Sequence, residues 1–132
     1  MATKPVKHSV AVLIRNGERI LSIRRPDDDD ELPGIWGLPA GTFRDSETLD
    51  DVIRRIGRDK LGVELRPANK LSAGTQSRLH YVLEMELWEG IMEATPSCPE
   101  WKWADPPILE PGQVRGSLCC DLALKLLRRQ GR

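Results

Sequence analysis

The sequence predicts an α/β domain built in layers. Three patterns carry that reading: a β-rich apolar run from His8 to Ile14 followed by a hairpin signal, a strict apolar alternation within Arg78 to Trp88, and two amphipathic helical stretches, one central and one C-terminal. With 132 residues the chain fits a single domain, residues 1–132, large enough to bury a core without disulfides or a structural metal.

The elements follow in chain order. His8 to Ile14 reads as a buried strand, and Asn16-Gly17, two residues that tolerate positive φ, turns the chain back along Arg19 to Arg24. Pro26 ends that strand, and the acidic run Asp27 to Glu31 with Leu32-Pro33-Gly34 reads as a loop whose charges are solvated. Thr48 is an N-cap with Asp51 three residues on, which predicts a helix over 48–61. Leu49, Val52, Ile53 and Ile56 form its apolar stripe, Asp50 and Asp51 lie at its start, Arg58 and Lys60 near its end, and Gly62 stops it. Gly57 costs such a helix about 1 kcal/mol relative to alanine. Close approach of a strand or loop is the expected reason. Val63 to Leu65 begins a strand, and Arg78 to Trp88 puts Leu79, Tyr81, Leu83, Met85 and Leu87 on one face, with His80, Val82, Glu84, Glu86 and Trp88 on the other. Glu89-Gly90 is read as its turn, Glu100 to Trp103 as a last short strand, and Pro106-Pro107 as a break. From Ser117, Leu118, Leu122 and Leu126 mark a closing amphipathic helix.

Composition narrows the partners. Twenty basic and twenty acidic residues cancel to a formal net charge of 0, which argues against general binding of nucleic acid or a membrane surface. The three cysteines, Cys98, Cys119 and Cys120, are odd in number and lack metal-ligand spacing, and no long apolar segment stands at the N-terminus, so a reducing cytoplasm is the expected compartment. No stretch approaches the roughly 20 apolar residues that span a bilayer.

Gly41, Glu47, Arg55, Gly62 and Val63 fall at offsets of 0, 6, 14, 21 and 22. This spacing resembles the Nudix box, G-x5-E-x7-R-E-U-x-E-E-x-G-U, with U a bulky apolar residue. The preceding Gly34 to Gly41, which contains Trp36, Pro39 and Ala40, is similar to the W-x-x-P-G-G lead-in of many Nudix proteins, with Ala40 for the first paired glycine. The resemblance implies an α/β/α sandwich with a central mixed β-sheet, a loop-helix-loop around the box and a C-terminal helix. It further implies a magnesium or manganese ion held against a diphosphate, and cleavage of a nucleoside diphosphate linked to another group.

The box departs from that pattern where its chemistry lies. In place of R-E-U-x-E-E the chain has Arg55, Ile56, Gly57, Arg58, Asp59 and Lys60. Magnesium needs oxygen ligands. Ile56 and Lys60 remove two anions and add a cation, a change of three charge units, so a divalent ion is expected to bind far less well. Asp59 is the surviving carboxylate, Glu47 matches the motif's first glutamate, and Glu100 is a possible ligand from outside the box, with Glu93, Glu84 and Glu86 as further acids of no distinguishing spacing. The resemblance gives Arg55 the role of fixing neighbouring carboxylates and loop carbonyls, while its spacing from Asp51 and Asp59 also allows helical ion pairs. Arg24 and Arg25 end a strand near where family members often place basic side chains against substrate phosphates, though solvated strand-end arginines fit the sequence equally, and Gly41 lets backbone approach a ligand. Ile56 can simply complete the apolar stripe and Lys60 suits a helix C-terminus. The sharper alternative is that the Lys60 ammonium fills the place of the metal and meets the diphosphate as a point charge.

Two functions stay open at this point. One is a hydrolase of nucleoside diphosphate derivatives with an altered metal site, using Glu47, Arg55 and Asp59, with Arg24, Arg25, Gly41 and Lys60 on the substrate. The other is a weak or inactive nucleotide-binding or sensor module. A scaffold with no small ligand is a third, for which Trp36, Trp88, Trp101 and Trp103 could form either a stacking pocket or a contact surface.

Overall fold

The computed structural model describes residues 4–98 and 100–130. The apolar run becomes β1 (Val6–Leu13), and the Asn16-Gly17 turn joins β2 (Arg15–Asn16) to β3 (Arg19–Arg24), with Gly17 at φ 64° as that turn requires. Then come β4 (Trp36–Gly37), β5 (Ala40–Thr42), α1 (Leu49–Ile56), β6 (Leu65–Ser77), β7 (Val82–Met92), β8 (Trp101–Ala104), a 3₁₀ turn (Pro106–Leu109), α2 (Glu110–Val114) and α3 (Leu118–Gln130).

One sheet runs β5-β1-β7-β6, with β1 and β7 parallel and the other pairs antiparallel, so it is mixed. In the second sheet β3 pairs with β2, β4 and β8. Period-two alternation on β1 divides its side chains between two cores. Ala11 and Leu13, with Leu83, Met85 and Leu87 of β7, join Leu118, Leu122 and Leu126 of α3. Val10 and Val12 join Val52, Ile53 and Ile56 of α1, with Leu61 and Leu65. Helices therefore cover both faces, and the α/β/α sandwich with a central mixed sheet is the fold observed.

Three expectations change. The central helix is not uniform: α1 ends at Ile56, and Gly57–Leu61 forms a π turn in which the Gly62 N–H reaches back to the Gly57 carbonyl. The cause lies at Gly57. A Cβ there would stand 2.6 Å from Leu65 Cβ and 2.7 Å from the Val63 carbonyl oxygen, so the following strand presses on the helix as expected, and the turn widens past the contact. The long strand starts later, at Val82, and leaves Leu79 82% exposed in the turn before it. It also continues through Gly90, where a Cβ would lie 2.3 Å from Val12 Cγ1: this glycine admits a core valine instead of turning the chain.

Gly62, at φ 71°, stops the helix as predicted. A Cβ on it would also overlap Ser97 Oγ at 2.0 Å, and the Ser97 N–H donates to the Leu61 carbonyl at 2.8 Å. The loop leading to β8 is thereby laid against the π turn. No helix among the described residues is long and apolar enough to cross a membrane.

Candidate functional site

The site is assembled from the loop-helix-loop, the end of β3 and the start of α3. Its helix begins as the sequence predicts: Thr48 Oγ1 accepts from the Asp51 N–H and the Asp51 carboxylate accepts from the Thr48 N–H, closing a capping box. Those bonds, with the Thr48 backbone N–H foremost, hold the Asp51 carboxyl below its usual range.

Arg55 braces the loop in front of this helix. It donates through Nε and Nη2 to both oxygens of Glu47, at 2.8 and 2.9 Å, and through Nη2 to the Thr42 carbonyl at 2.6 Å. Glu47 also accepts from the Arg44 N–H at 2.7 Å. Paired donors of this geometry strongly favour the charged carboxylate. Arg55, and then the Arg44 N–H, push the Glu47 carboxyl down to about 2. The helical pairs of Arg55 with Asp51 or Asp59 are not formed. The tie to Glu47, eight residues back, replaces them.

A cleft of about 590 Å³ opens beside this brace, lined among others by Arg24, Arg25, Asp59, Lys60 and Glu100. Five residues singled out in the sequence are therefore brought together. Glu47 and Arg55 stand outside its lining, and Gly41 borders a separate cavity of about 160 Å³. The bare Cα of Gly41 has a packing reason as well, since a Cβ would meet Ile56 Cγ1 at 3.0 Å. None of the four tryptophans lines the cleft. Trp101 and Trp103 meet edge to face at 6.2 Å, and Lys102 covers the Trp36 ring at 4.4 Å. Glu86 is engaged by His8 at 2.8 Å and Trp88 at 2.9 Å, and Glu93 pairs with Arg66.

Charge within the cleft is distributed unevenly. Arg24 pairs with Asp27 and approaches Glu100 at 3.9 Å, while Arg25 grips Asp29 at 3.0 and 3.3 Å. Asp29 also accepts from the Leu32 and Glu31 N–H groups, and these bonds, Leu32 first and then Arg25, lower its pKa. The acidic loop is thus not simply solvated: two of its aspartates neutralise the two arginines expected to face phosphate. Their offsets of three and four residues carried the signal, but nothing in the sequence separated them from Asp28 and Asp30. Asp59 and Lys60 have no ion-pair partner among the described residues. Ser117, Cys119 and Cys120, which also line the cleft, were missed as site residues because no spacing marks them.

The divalent ion that the resemblance implies does not suit this donor set. Ile56 is 1% exposed within the α1 core, Lys60 presents an ammonium, and Glu47 is saturated by Arg55 and Arg44. Among the described residues no three His, Cys, Asp or Glu side chains are grouped to hold a metal. Asp59 is the acid of the cleft without an ion-pair partner among the described residues, and Glu100 has only the 3.9 Å approach of Arg24.

The NUDIX domain profile matches residues 5–116. Comparison with curated protein sequences gives no match. Among solved structures, the chain is similar to the MutT protein of Methanosarcina mazei Go1 at TM-score 0.74 and 19% identity, covering 100% of this chain and 99% of that one. A NUDIX hydrolase from Nitrosomonas europaea gives TM-score 0.75 at 12% identity, covering 97% and 90%. A protein named UDP-X diphosphatase gives TM-score 0.71 at 12% identity, covering 100% and 67%. With the box spacing, the sandwich and the profile match in agreement, the chain belongs to the NUDIX domain family.

Proposed function

We propose that the cleft binds the diphosphate group of a nucleotide derivative, with Lys60 as its principal cation, and that hydrolysis is slow or absent. The observation carrying this reading is the lone ammonium of Lys60 in the cleft, at the box position where the family pattern has an acid. Nudix hydrolases generally use divalent metals, and anionic substrates of this kind need positive charge however it is provided. Here Lys60 supplies it as a point charge, and Arg25 or Arg24 adds more when a phosphate competes with Asp29 or Asp27.

A second reading, hydrolysis with magnesium or manganese, is favoured by Asp59 and Glu100 lining the same cleft. The two are separated by titrating the protein with inorganic pyrophosphate, ADP-ribose, nucleotide sugars and dinucleoside polyphosphates, with magnesium and then with chelator, while following phosphate or monophosphate release. Binding that survives chelator, weakens about tenfold in Lys60→Ala and brings no product release supports the first reading. Turnover abolished by chelator and by Asp59→Asn replaces it with the second. Failure of every compound to bind removes both and leaves the scaffold.

A further inference from the structure

We infer that the 160 Å³ cavity beside the cleft takes one further phosphate group of the same ligand, held by Lys7 and Arg78; this rests on the diphosphate reading above and adds a second anion to it. Period-two alternation on β1 places the cavity. Ala11 and Leu13 pack with Leu118 and Leu122 of α3, while Lys7 and Ser9 continue the same face into the cavity, which Ser117, Leu118 and Cys119 border where that helix starts. An apolar face turns polar at the helix end.

Cations outnumber acids there: Lys7, Arg25 and Arg78 line the cavity against Glu31 alone among the described residues. Arg25 is gripped by Asp29. Arg78 is positioned by Gln76 and the Gly116 carbonyl, and it meets Glu31 only at 3.4 Å, longer than the roughly 2.7–2.9 Å of a tight charge-assisted bond. That acid can be displaced.

Lys7 has no ion-pair partner among the described residues, and its ammonium stands 5.3 Å from the centre of the Tyr81 ring, another wall of the cavity. A buried hydroxyl pair adds a donor. Ser9, 4% exposed, and Thr42 place their hydroxyl oxygens 3.1 Å apart, and neither forms another side-chain bond among the described residues. Two hydroxyls carry two protons and their mutual bond uses one, so one O–H is left for an acceptor oxygen.

Size selects the group: the 590 Å³ cleft falls within the roughly 300–1,000 Å³ of pockets that hold whole small molecules, and the 160 Å³ cavity lies below it. The cavity suits one small anion. The two spaces share a wall that includes Leu32, Ala40 and Arg25, the one charged residue that borders both among those described. Lys60 and Lys7 thus stand at the ends of a cationic track through Arg25. A ligand with its diphosphate at Lys60 reaches Lys7 and Arg78 with a phosphate that either extends its chain or sits on its sugar.

The test measures dissociation constants of the full chain, with chelator and about 0.15 M salt, at which charges more than about 8 Å away are screened. Two matched pairs of probes are used. Inorganic tetraphosphate against pyrophosphate lengthens the chain, and NADP+ against NAD+ adds one phosphate to a ribose. In at least one pair the more phosphorylated member should bind about tenfold tighter, and the pair that does so tells where the phosphate sits. Lys7→Ala should bring that ratio down to about twofold or less. Glu31→Gln should raise it, because the acid competing for Arg78 is gone and no contact to the phosphate is lost; damage to the fold would not tighten binding. Equal affinities within both pairs, or a ratio that Lys7→Ala leaves unchanged, overturns the inference, and the proposed function stands as long as pyrophosphate binds. Binding of tetraphosphate or NADP+ that depends on Lys7, without any binding of pyrophosphate or NAD+, supports the Lys7 site and counts against the diphosphate reading. Failure of all four to bind overturns both.

Discussion

The two halves of the box region have been treated differently by this sequence. From Gly41 to Arg55 the loop and helix start are held by interlocking polar contacts: the capping box, the two-pronged grip of Arg55 on Glu47 and its bond to the Thr42 carbonyl. From Ile56 to Lys60 the residues that would carry chemistry have become a core side chain, a packing glycine, one aspartate and a cation without an ion-pair partner among the described residues. The comparison teaches that the scaffold of such a box is separable from its reactive face. The glutamate and arginine that resembled catalytic groups hold the loop's shape, and the residues that face the cleft have changed charge.

The sharpest way to break the comparison is to restore the motif's first missing acid. Ile56→Glu should destabilise by about 4 kcal/mol or more, because the position is 1% exposed among Val52, Ile53 and Leu65 and offers no partner for a carboxylate. A urea melt with the wild-type midpoint would show that the helix can turn this residue outward. Next comes Gly57→Ala. Alanine gains about 1 kcal/mol of helix propensity, but its Cβ meets Leu65 and the Val63 carbonyl below 3 Å, and overpacking costs about 1–3 kcal/mol. A net loss is expected by the same measurement. A gain would mean that the π turn relaxes to ordinary helix.

Acid provides a milder probe of the brace. The Glu47 carboxyl is depressed in the fold from its ordinary 4.5 to about 2, so its contribution is complete above pH 4.5 and is lost as pH falls through about 2. Thermal melts between pH 5 and 2 should steepen in wild type relative to Glu47→Gln. Parallel curves would show that the pair adds nothing. The smallest effect on stability belongs to the reactive half: Lys60→Glu, at an exposed position without an ion-pair partner among the described residues, should stay within about 0.5 kcal/mol of wild type while abolishing chelator-insensitive pyrophosphate binding. A large fall in Tm would place Lys60 in the scaffold after all.

Much of the architecture was legible because its signals are local. The hairpin at Asn16-Gly17, the Thr48–Asp51 capping box, the stripe ending at Ile56 and the stop at Gly62 each rest on neighbours in sequence. β6 was read only at its first residues because, after buried Leu65, it is polar or half-exposed on both faces and borders the sheet, leaving no alternation to detect. Gly90 looked like a turn because a glycine required by a valine on another strand has the same letter. The cleft was legible in Arg24, Arg25, Asp59, Lys60 and Glu100; the aspartates that occupy the arginines lie only three and four residues on but share their loop with Asp28 and Asp30, while Ser117, Cys119 and Cys120 reach the cleft through contacts between distant segments.

The seating of Ser97 on Gly62 has a mechanical result. Because the carbonyl of Leu61 accepts from the Ser97 N–H, the segment around Ser97 is tied to the turn that bears Asp59 and Lys60. Two segments that line the cavity are thereby held to one another by their own backbones, one at each side of the Leu61–Ser97 hydrogen bond.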